Sequence, residues 1–199
     1  MLNADLKQQL KQLLELMESD VEFVASLGSD DKSKELKELL DEIADMSARI
    51  TVTEKDLKRT PSFSVNRPGE ETGVTFAGIP LGHEFNSLVL AILQVSGRAP
   101  KEKQSVIDQI KGLEGPFHFE TFVSLTCQKC PDVVQALNLM SVINPNITHT
   151  MIDGAVFREE SEDIMAVPAV FLDCQEFGNG HMTIQDILTK LGSTQDASE

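Results

Sequence analysis

The sequence Phe122-Val-Ser-Leu-Thr-Cys127-Gln-Lys-Cys130-Pro-Asp-Val-Val-Gln-Ala-Leu137 places two cysteines three positions apart, directly after an apolar run. The run predicts a buried strand, and the spacing of apolar residues from Cys130 onwards predicts a helix. Pro131 suits the first turn of a helix, because its missing N–H would have no partner there. The stretch therefore predicts a strand, a short loop and a helix, with the Cys-x-x-Cys pair where the loop meets the helix.

The position of Cys127 favours a reactive thiolate. Unpaired backbone N–H groups and the positive end of the helix dipole lie at a helix start, and Lys129 adds a positive charge. Cys130 lies about one turn further along the helix, where it is shielded and can reach back to Cys127. The spacing predicts dithiol–disulfide exchange, in which Cys127 attacks a substrate disulfide and Cys130 resolves the mixed disulfide.

A zinc site is the alternative interpretation of a Cys-x-x-Cys pair. A closed zinc site needs two more ligands, and the sequence offers no second paired motif. The other candidate ligands are scattered along the chain: Cys174, His118, His149 and His181. We therefore favour the redox interpretation, expect no metal, and assign no role to Cys174.

Charge and composition exclude several function classes. The chain has 199 residues and a net charge of −15, which argues against binding to nucleic acid or to an anionic membrane. No stretch approaches the roughly 20 apolar residues that span a bilayer, and residues 1–18 lack the apolar core of a signal peptide. We expect a cytoplasmic protein, in which a cysteine pair is more often catalytic or metal-binding than structural.

The two halves of the chain repeat one order of elements. Ser26-Leu27 and Ser124-Leu125 are 98 residues apart, and so are Gly82-His83 and Gly180-His181. We predict an α/β fold of two tandem thioredoxin-like folds packed together, with a mixed central sheet and helices on both faces. The first fold, 1–97, lacks Cys-x-x-Cys, and the second, 98–199, is redox active.

Apolar periodicity gives the predicted elements. Helices are predicted over 3–17, 32–46, 84–95, 101–111, 130–143 and 183–191. Strands are predicted over 20–27, 49–53, 61–66, 73–77, 117–125, 147–153, 168–173 and 175–178. A further short helix over 155–163 is expected as an insertion in the second fold.

Pro168 adds a second part to the site. In thioredoxin-like folds a cis-proline faces the Cys-x-x-Cys pair and holds an extended substrate segment through backbone contacts. Val167-Pro168 opens a predicted strand, so we predict a cis bond there and substrate binding by Thr126, Val167 and Pro168. An ordinary trans-proline at a strand start is the alternative.

The inner thiol also needs a proton acceptor. Thioredoxins usually carry a buried Asp six positions before the first cysteine, but Thr121 stands at that position here. The first fold carries Ser29 and Lys32 where the cysteines would align, so it serves as a scaffold or contributes to the second site. Glu84, which opens its apolar helix, is the best candidate acid, although the residues alone favour a simpler role in stabilising that helix start.

Four segments together carry a family resemblance. They are the run 122–141, Gly78-Ile-Pro-Leu-Gly-His-Glu84-Phe, Met165-Ala-Val-Pro168-Ala-Val-Phe and Phe177-Gly-Asn-Gly. Over essentially its whole length, the chain resembles the N-terminal domain of the flavoprotein component of bacterial alkyl hydroperoxide reductase. The resemblance implies a tandem of thioredoxin folds, redox activity at Cys127 and Cys130, and Glu84 as the acid near them.

The resemblance also implies cofactors and partners. The family's domain accepts electrons from a C-terminal thioredoxin-reductase-like portion of the same polypeptide, which uses FAD and NAD(P)H, and passes them to the disulfide of the peroxiredoxin subunit. This chain lacks Gly-x-Gly-x-x-Gly, so we expect a fragment that alone binds no flavin. Two alternatives remain open: a stand-alone disulfide oxidoreductase resembling protein disulfide isomerase, and a non-catalytic module with a structural disulfide.

Overall fold

The computed structural model describes residues 2–196, with side chains described up to residue 192. The α-helices are Ala4–Leu14 (α1), Asp31–Asp45 (α2), Phe85–Val95 (α3), Gln104–Lys111 (α4), Cys130–Ile143 (α5) and Ile184–Asp196 (α6). The strands are Val21–Ser26 (β1), Ile50–Glu54 (β2), Ser62–Asn66 (β3), Val74–Ala77 (β4), Phe117–Val123 (β5), Ile147–Asp153 (β6), Ala169–Leu172 (β7) and Gln175–Asn179 (β8). A 3₁₀ turn, Gly82–Glu84, leads directly into α3.

The strands form one mixed sheet with the order β2-β1-β3-β4-β6-β5-β7-β8. In each half, a parallel pair is extended by two antiparallel strands, so the order β2-β1-β3-β4 recurs as β6-β5-β7-β8. The halves meet where β4 and β6 pair in parallel, from Val74 opposite His149 to Ala77 opposite Ile152. The sheet confirms the predicted α/β class with a mixed central sheet.

A hydrophobic core crosses the junction between the halves. Phe23, Phe63 and Phe76 come from three neighbouring strands, are fully buried, and pack in sequence, with the centroids of adjacent rings 5.4 Å apart. Val134 and Met151 of the second half belong to the same buried cluster. Because such burial is the main source of stability, the core favours the joined halves over separate ones.

The segment 155–163 is a series of turns, so the prediction of a short helix there is wrong. Its acidic residues lie towards the end where a helix dipole disfavours negative charge: Glu159, Glu160, Glu162 and Asp163. In addition, Ser161 donates its hydroxyl to the carbonyl of Gly154 at 3.0 Å, a bond that competes with helical pairing.

None of the helices in the described part of the chain combines the length and the apolarity that a membrane crossing requires.

Candidate redox site

Cys127 and Cys130 form a disulfide at the start of α5, with their Cα atoms 5.5 Å apart. The helix begins at Cys130 and carries Pro131 in its first turn, as the sequence predicts. Cys130 is fully buried, whereas Cys127 is partly exposed. The structure therefore presents one sulfur to an incoming partner and keeps the second sulfur behind it, as dithiol–disulfide exchange requires.

The loop before β7 lies beside the exposed sulfur. The Val167–Pro168 peptide bond is cis, as predicted, and the carbonyl oxygen of Val167 lies 3.9 Å from the sulfur of Cys127. The N–H of Gly180 donates to the carbonyl of Pro168 at 2.9 Å, which ties this loop to the end of β8. Thr126 lies next to Cys127 and is exposed. Substrate binding by Thr126, Val167 and Pro168 stays a prediction.

A contact between a histidine and a carboxylate lies at the start of α5. Asp132, in the first turn of α5, lies 3.0 Å from the imidazole of His181, and both side chains are exposed. Since His181 follows β8 and Asp132 follows the redox cysteines, the pair connects the end of β8 to the start of α5. An exposed contact of this kind contributes little to stability.

Glu84, the predicted acid, is completely buried. Its Oε1 accepts a 3.2 Å hydrogen bond from the Ser87 hydroxyl, while Oε2 has no hydrogen-bond partner among the described residues. Burial raises the pKa of this carboxyl group from 4.5 to about 7, and the bond from Ser87 opposes part of that rise. Glu84 can therefore take up or release a proton near neutral pH.

The turn that carries Glu84 is docked next to the cysteines. The N–H of His83 donates at 3.0 Å to the carbonyl of Leu125, two residues before Cys127. Gly82 has a φ of +57°, and a Cβ atom there would lie 2.7 Å from the same carbonyl oxygen. Only glycine permits this close approach, so the first half contacts the loop that leads to the redox pair.

A hydrogen-bond chain also connects Glu84 with the helix of Cys130. The 3₁₀ turn contacts α5, and the side-chain amide of Gln135 on α5 donates to the Ser87 hydroxyl at 3.1 Å. Ser87 in turn donates to Glu84. The acid of one half is thereby held against the helix that carries the inner cysteine of the other.

Thr121, at the position where thioredoxins carry an acid, belongs to a neutral network. Its hydroxyl lies 2.8 Å from Nε2 of His149, and Nδ1 of His149 lies 2.7 Å from Oδ1 of Asn138. All three residues are buried, and burial lowers the pKa of His149 from 6.5 to about 3. His149 therefore stays neutral at physiological pH, and Glu84 as the acid that serves Cys130 stays a prediction.

Glu120, the neighbour of Thr121, is engaged with the first half. Its carboxylate lies 2.5 Å from the guanidinium of Arg59 and 3.5 Å from the ammonium of Lys58. Arg59 also pairs with Glu160 at 2.8 Å, and only 9% of its side chain is exposed. This ion cluster joins the two halves through an arginine that the sequence did not single out.

The sequence could have indicated only part of this environment. Ser87 follows Glu84 by three positions, the spacing of neighbours on one face of a helix. No sequence spacing indicates the roles of Gln135, His181 and Arg59. Their partners are distant in sequence and come near only on folding.

Candidate metal ligands and the Gly178-Asn-Gly180 segment lie outside the redox pair. Among the side chains that the structure describes, no three of His, Cys, Asp or Glu are grouped so as to hold a metal ion. A Cβ atom on Gly178 would lie 2.9 Å from the sulfur of Met182, whereas a Cβ atom on Gly180 would meet nothing within 4 Å. Cys174 is exposed, unpaired with another cysteine, and lies in the turn between β7 and β8.

Known proteins resemble this chain in sequence and in structure, although no protein-family model matches it. The alkyl hydroperoxide reductase protein AhpF of Staphylococcus epidermidis is 93% identical over 199 residues, which are the whole of this chain and 39% of that protein. The structure of the NTD_N/C domain of alkylhydroperoxide reductase AhpF from Enterococcus faecalis is 33% identical, with a TM-score of 0.89 over 96% of this chain and 100% of that one. The chain belongs to the AhpF family of alkyl hydroperoxide reductase proteins.

Membership of the AhpF family confirms the predicted fold. A protein disulfide oxidoreductase from Aeropyrum pernix, with a TM-score of 0.85 over 98% of this chain, has the same fold, but its 19% identity supports no more than that. With a Cys127–Cys130 disulfide on this fold, the chain is a thiol–disulfide oxidoreductase. It spans about two fifths of the length of the curated AhpF relatives, 39%.

Proposed function

We propose that the chain carries electron pairs from a flavin-containing reductase portion of the longer polypeptide to the disulfide of a peroxiredoxin, which reduces hydroperoxides. The observation that carries this proposal is the Cys127–Cys130 disulfide, with one sulfur exposed and the other buried. In this proposal FAD and NAD(P)H belong to the C-terminal thioredoxin-reductase-like portion, and the electron transfer takes place in the cytoplasm.

The transfer is a pair of disulfide exchanges. In the reduced chain, the Cys127 thiolate attacks one sulfur of the partner disulfide, whose S–S bond breaks and whose second sulfur leaves as a thiolate and is protonated. Cys130 then loses its proton and attacks Cys127, so the mixed disulfide breaks and releases the second partner thiol. The chain ends as the Cys127–Cys130 disulfide, the partner ends as a dithiol, and two electrons have moved.

Each step has a residue that supports it. The N-terminal end of α5 stabilises the Cys127 thiolate through its free N–H groups and dipole. Glu84 accepts the proton of Cys130, a role supported by its pKa of about 7, its unbonded oxygen and the contact of its turn with α5. Thr126, Val167 and Pro168 hold the partner segment, which is supported by the 3.9 Å separation between the Val167 carbonyl and the Cys127 sulfur.

We further infer that residues 1–97 and 98–199 are the two units of the tandem. The repeated strand order supports this division. The first unit contains no cysteine, yet it supplies Glu84 and the turn that contacts Leu125. Its role in the proposal is therefore to complete the site of the second unit.

The test uses the reduced chain and an oxidised peroxiredoxin. We expect one peroxiredoxin disulfide to be reduced per chain, Cys127→Ser to abolish the reaction, and Cys130→Ser to trap a mixed disulfide visible on a non-reducing gel. Cys174→Ser is the matched control, because it removes a thiol outside the redox pair, and it should react like the parent. Full activity in Cys127→Ser, or no adduct with Cys130→Ser, would contradict the assigned roles.

The reduction potential separates the carrier from a module with a structural disulfide. Structural disulfides lie below about −300 mV, whereas a carrier should lie nearer the glutathione potential of the cytosol. A stand-alone disulfide oxidoreductase would instead act on reduced, unfolded proteins. The likeness to the Aeropyrum pernix protein supports the fold alone, so we do not adopt that second function.

A further inference from the structure

Met165 has the most exposed large apolar side chain in the described part of the chain, with 95% of its surface open to solvent. The other exposed side chains of this kind, Leu13 and Leu16, are 40% and 42% exposed and lie in the first half. A single exposed apolar residue is ordinary on a protein surface. What distinguishes Met165 is that it lies two residues before Val167, whose carbonyl is next to the Cys127 sulfur.

The backbone on both sides of Met165 is fixed. Ile164 donates its N–H to the carbonyl of Ser161 at 3.0 Å, and its side chain packs against a buried cluster on the sheet. Three residues after Met165, Pro168 is tied to Gly180 by a 2.9 Å hydrogen bond. Met165 is therefore held out into solvent by a segment whose ends are anchored, and its exposure follows from the fold.

Met165 lies within reach of any protein that reacts at Cys127. The Val167 carbonyl is 3.9 Å from the Cys127 sulfur, and Met165 is two residues from Val167, or at most about 7 Å along the chain. An extended partner segment advances about 3.3 Å per residue, so residues two or three positions from the partner cysteine reach Met165. The neighbours of Cys127 in its own loop are polar: Thr126, Gln128 and Lys129.

We propose that Met165 is a docking residue for the disulfide-bearing protein partner, and that it packs against an apolar side chain within about three residues of the partner's reactive cysteine. The inference rests on the proposed function, because a protein disulfide that exchanges with Cys127 must cover this surface. A flexible, polarizable thioether adapts to an apolar partner without fixing its shape. A small disulfide, which covers only Cys127, does not use this contact.

The test compares two substrates of the reduced chain. Rates of disulfide reduction are measured by rapid quenching with N-ethylmaleimide over a range of oxidised peroxiredoxin concentrations, which separates the apparent Kd from the limiting rate. Met165→Gln, which keeps the length but makes the side chain polar, should raise the apparent Kd for peroxiredoxin about tenfold, since it loses a buried apolar contact. The limiting rate and the rate with 5,5′-dithiobis(2-nitrobenzoate) should change less than about twofold.

Two further variants make the result specific. Met165→Leu should restore the parent Kd to within about twofold, because it keeps the apolar contact. Leu13→Gln makes the same kind of change on α1 and should leave the Kd unchanged. The inference is overturned if Met165→Gln keeps the parent Kd, if it slows both substrates equally, or if Leu13→Gln raises the Kd as much. A parent chain that reduces the small disulfide but no peroxiredoxin would overturn the proposed function, and the docking role with it.

Discussion

Glu84 is a carboxyl group kept in an apolar environment with one oxygen unbonded. Such a group destabilises the fold when it is ionised, which fits the proposed role of Glu84 in proton transfer. The pKa of about 7 makes the group a proton acceptor and donor near neutral pH. From the sequence alone it resembles a residue that stabilises a helix start, because burial by another part of the chain leaves no local signal.

Glu84→Gln should slow peroxiredoxin reduction about 10- to 100-fold, because the proton acceptor is lost while the shape is kept. The parent rate should rise with pH through about 7, and the variant should lack this inflection. Stopped reactions over a pH series measure both. Glu15→Gln, at an exposed position on the C-terminal side of α1, is the control. Matching rates of parent and Glu84→Gln at every pH would reduce Glu84 to a structural residue.

The same variant changes stability with a definite sign. Burial raises the folded pKa above the unfolded value of 4.5, so the stability that the protonated carboxyl contributes is present below 4.5 and is lost as pH rises through about 7. Glutamine resembles the protonated form at every pH. The unfolding free energy of Glu84→Gln should therefore exceed that of the parent by about 3 kcal/mol near pH 8, and by about zero near pH 4. Urea titration followed by circular dichroism tests this, since the chain has no Trp or Tyr to report by fluorescence.

At the scale of elements, Arg59 connects a loop of the first half to β5 and to the turns that follow β6. Its guanidinium is largely buried between Glu120 and Glu160. Arg59→Ala should lower the unfolding free energy by about 2 kcal/mol, because it removes the charge partner of two carboxylates in a partly buried site. Arg49→Ala, which removes an exposed pair with Asp20, should cost less than about 1 kcal/mol. Equal losses of unfolding free energy in urea titrations would show that burial does not strengthen the Arg59 ion pairs.

The elements themselves were largely predictable. The start of α5 follows from Pro131 and from the end of an apolar strand, which are local features. The segment 155–163 was not predictable in the same way, because its helical spacing competed with acidic residues at the wrong end and with the side-chain bond of Ser161. Local chemistry decided both cases, but in the second it opposed the periodic pattern.

At the scale of the whole molecule, the contact between β4 and β6 makes one sheet of two halves. Gly73, just before β4, has a φ of +82°, and a Cβ atom there would lie 2.9 Å from the carbonyl oxygen of Ile147. Its own carbonyl accepts a 2.8 Å hydrogen bond from His149. The absence of a side chain at this position therefore permits the halves to approach.

Gly73→Ala should lower the unfolding free energy by about 3 kcal/mol, from both the positive φ and the clash with the backbone of the other half. Gly69→Ala is the matched control, because its φ is +76° but a Cβ atom there would meet nothing within 4 Å, and it should cost about 1 kcal/mol. Hydrogen exchange should show that Gly73→Ala weakens strands of both halves together. Faster exchange confined to one half would contradict a shared core.

The two halves and their packing against each other were predicted from the sequence, but the strands that join them were not. Matching residues 98 apart indicate two copies, whereas the pairing of β4 with β6 depends on backbone groups that every residue carries. The same limit applies to the site: Cys127 and Cys130 are recognisable by their spacing, while the contact of the Glu84 turn with Leu125 arises only when the two halves meet.

Cys127 is the only sulfur of the redox pair that a partner can reach, and this constrains the order of the two transfers in the proposed function. Donor and acceptor must both approach Cys127, because the inner sulfur is closed off from either of them. Donor and acceptor cannot bind at the same time, so the chain is reduced by the donor in one encounter and oxidised by the acceptor in the next. Such a carrier follows ping-pong kinetics, and an excess of either the donor or the acceptor inhibits binding of the other. Any linker to a reductase portion would have to be flexible enough for this one face to reach the reductase and the acceptor in turn.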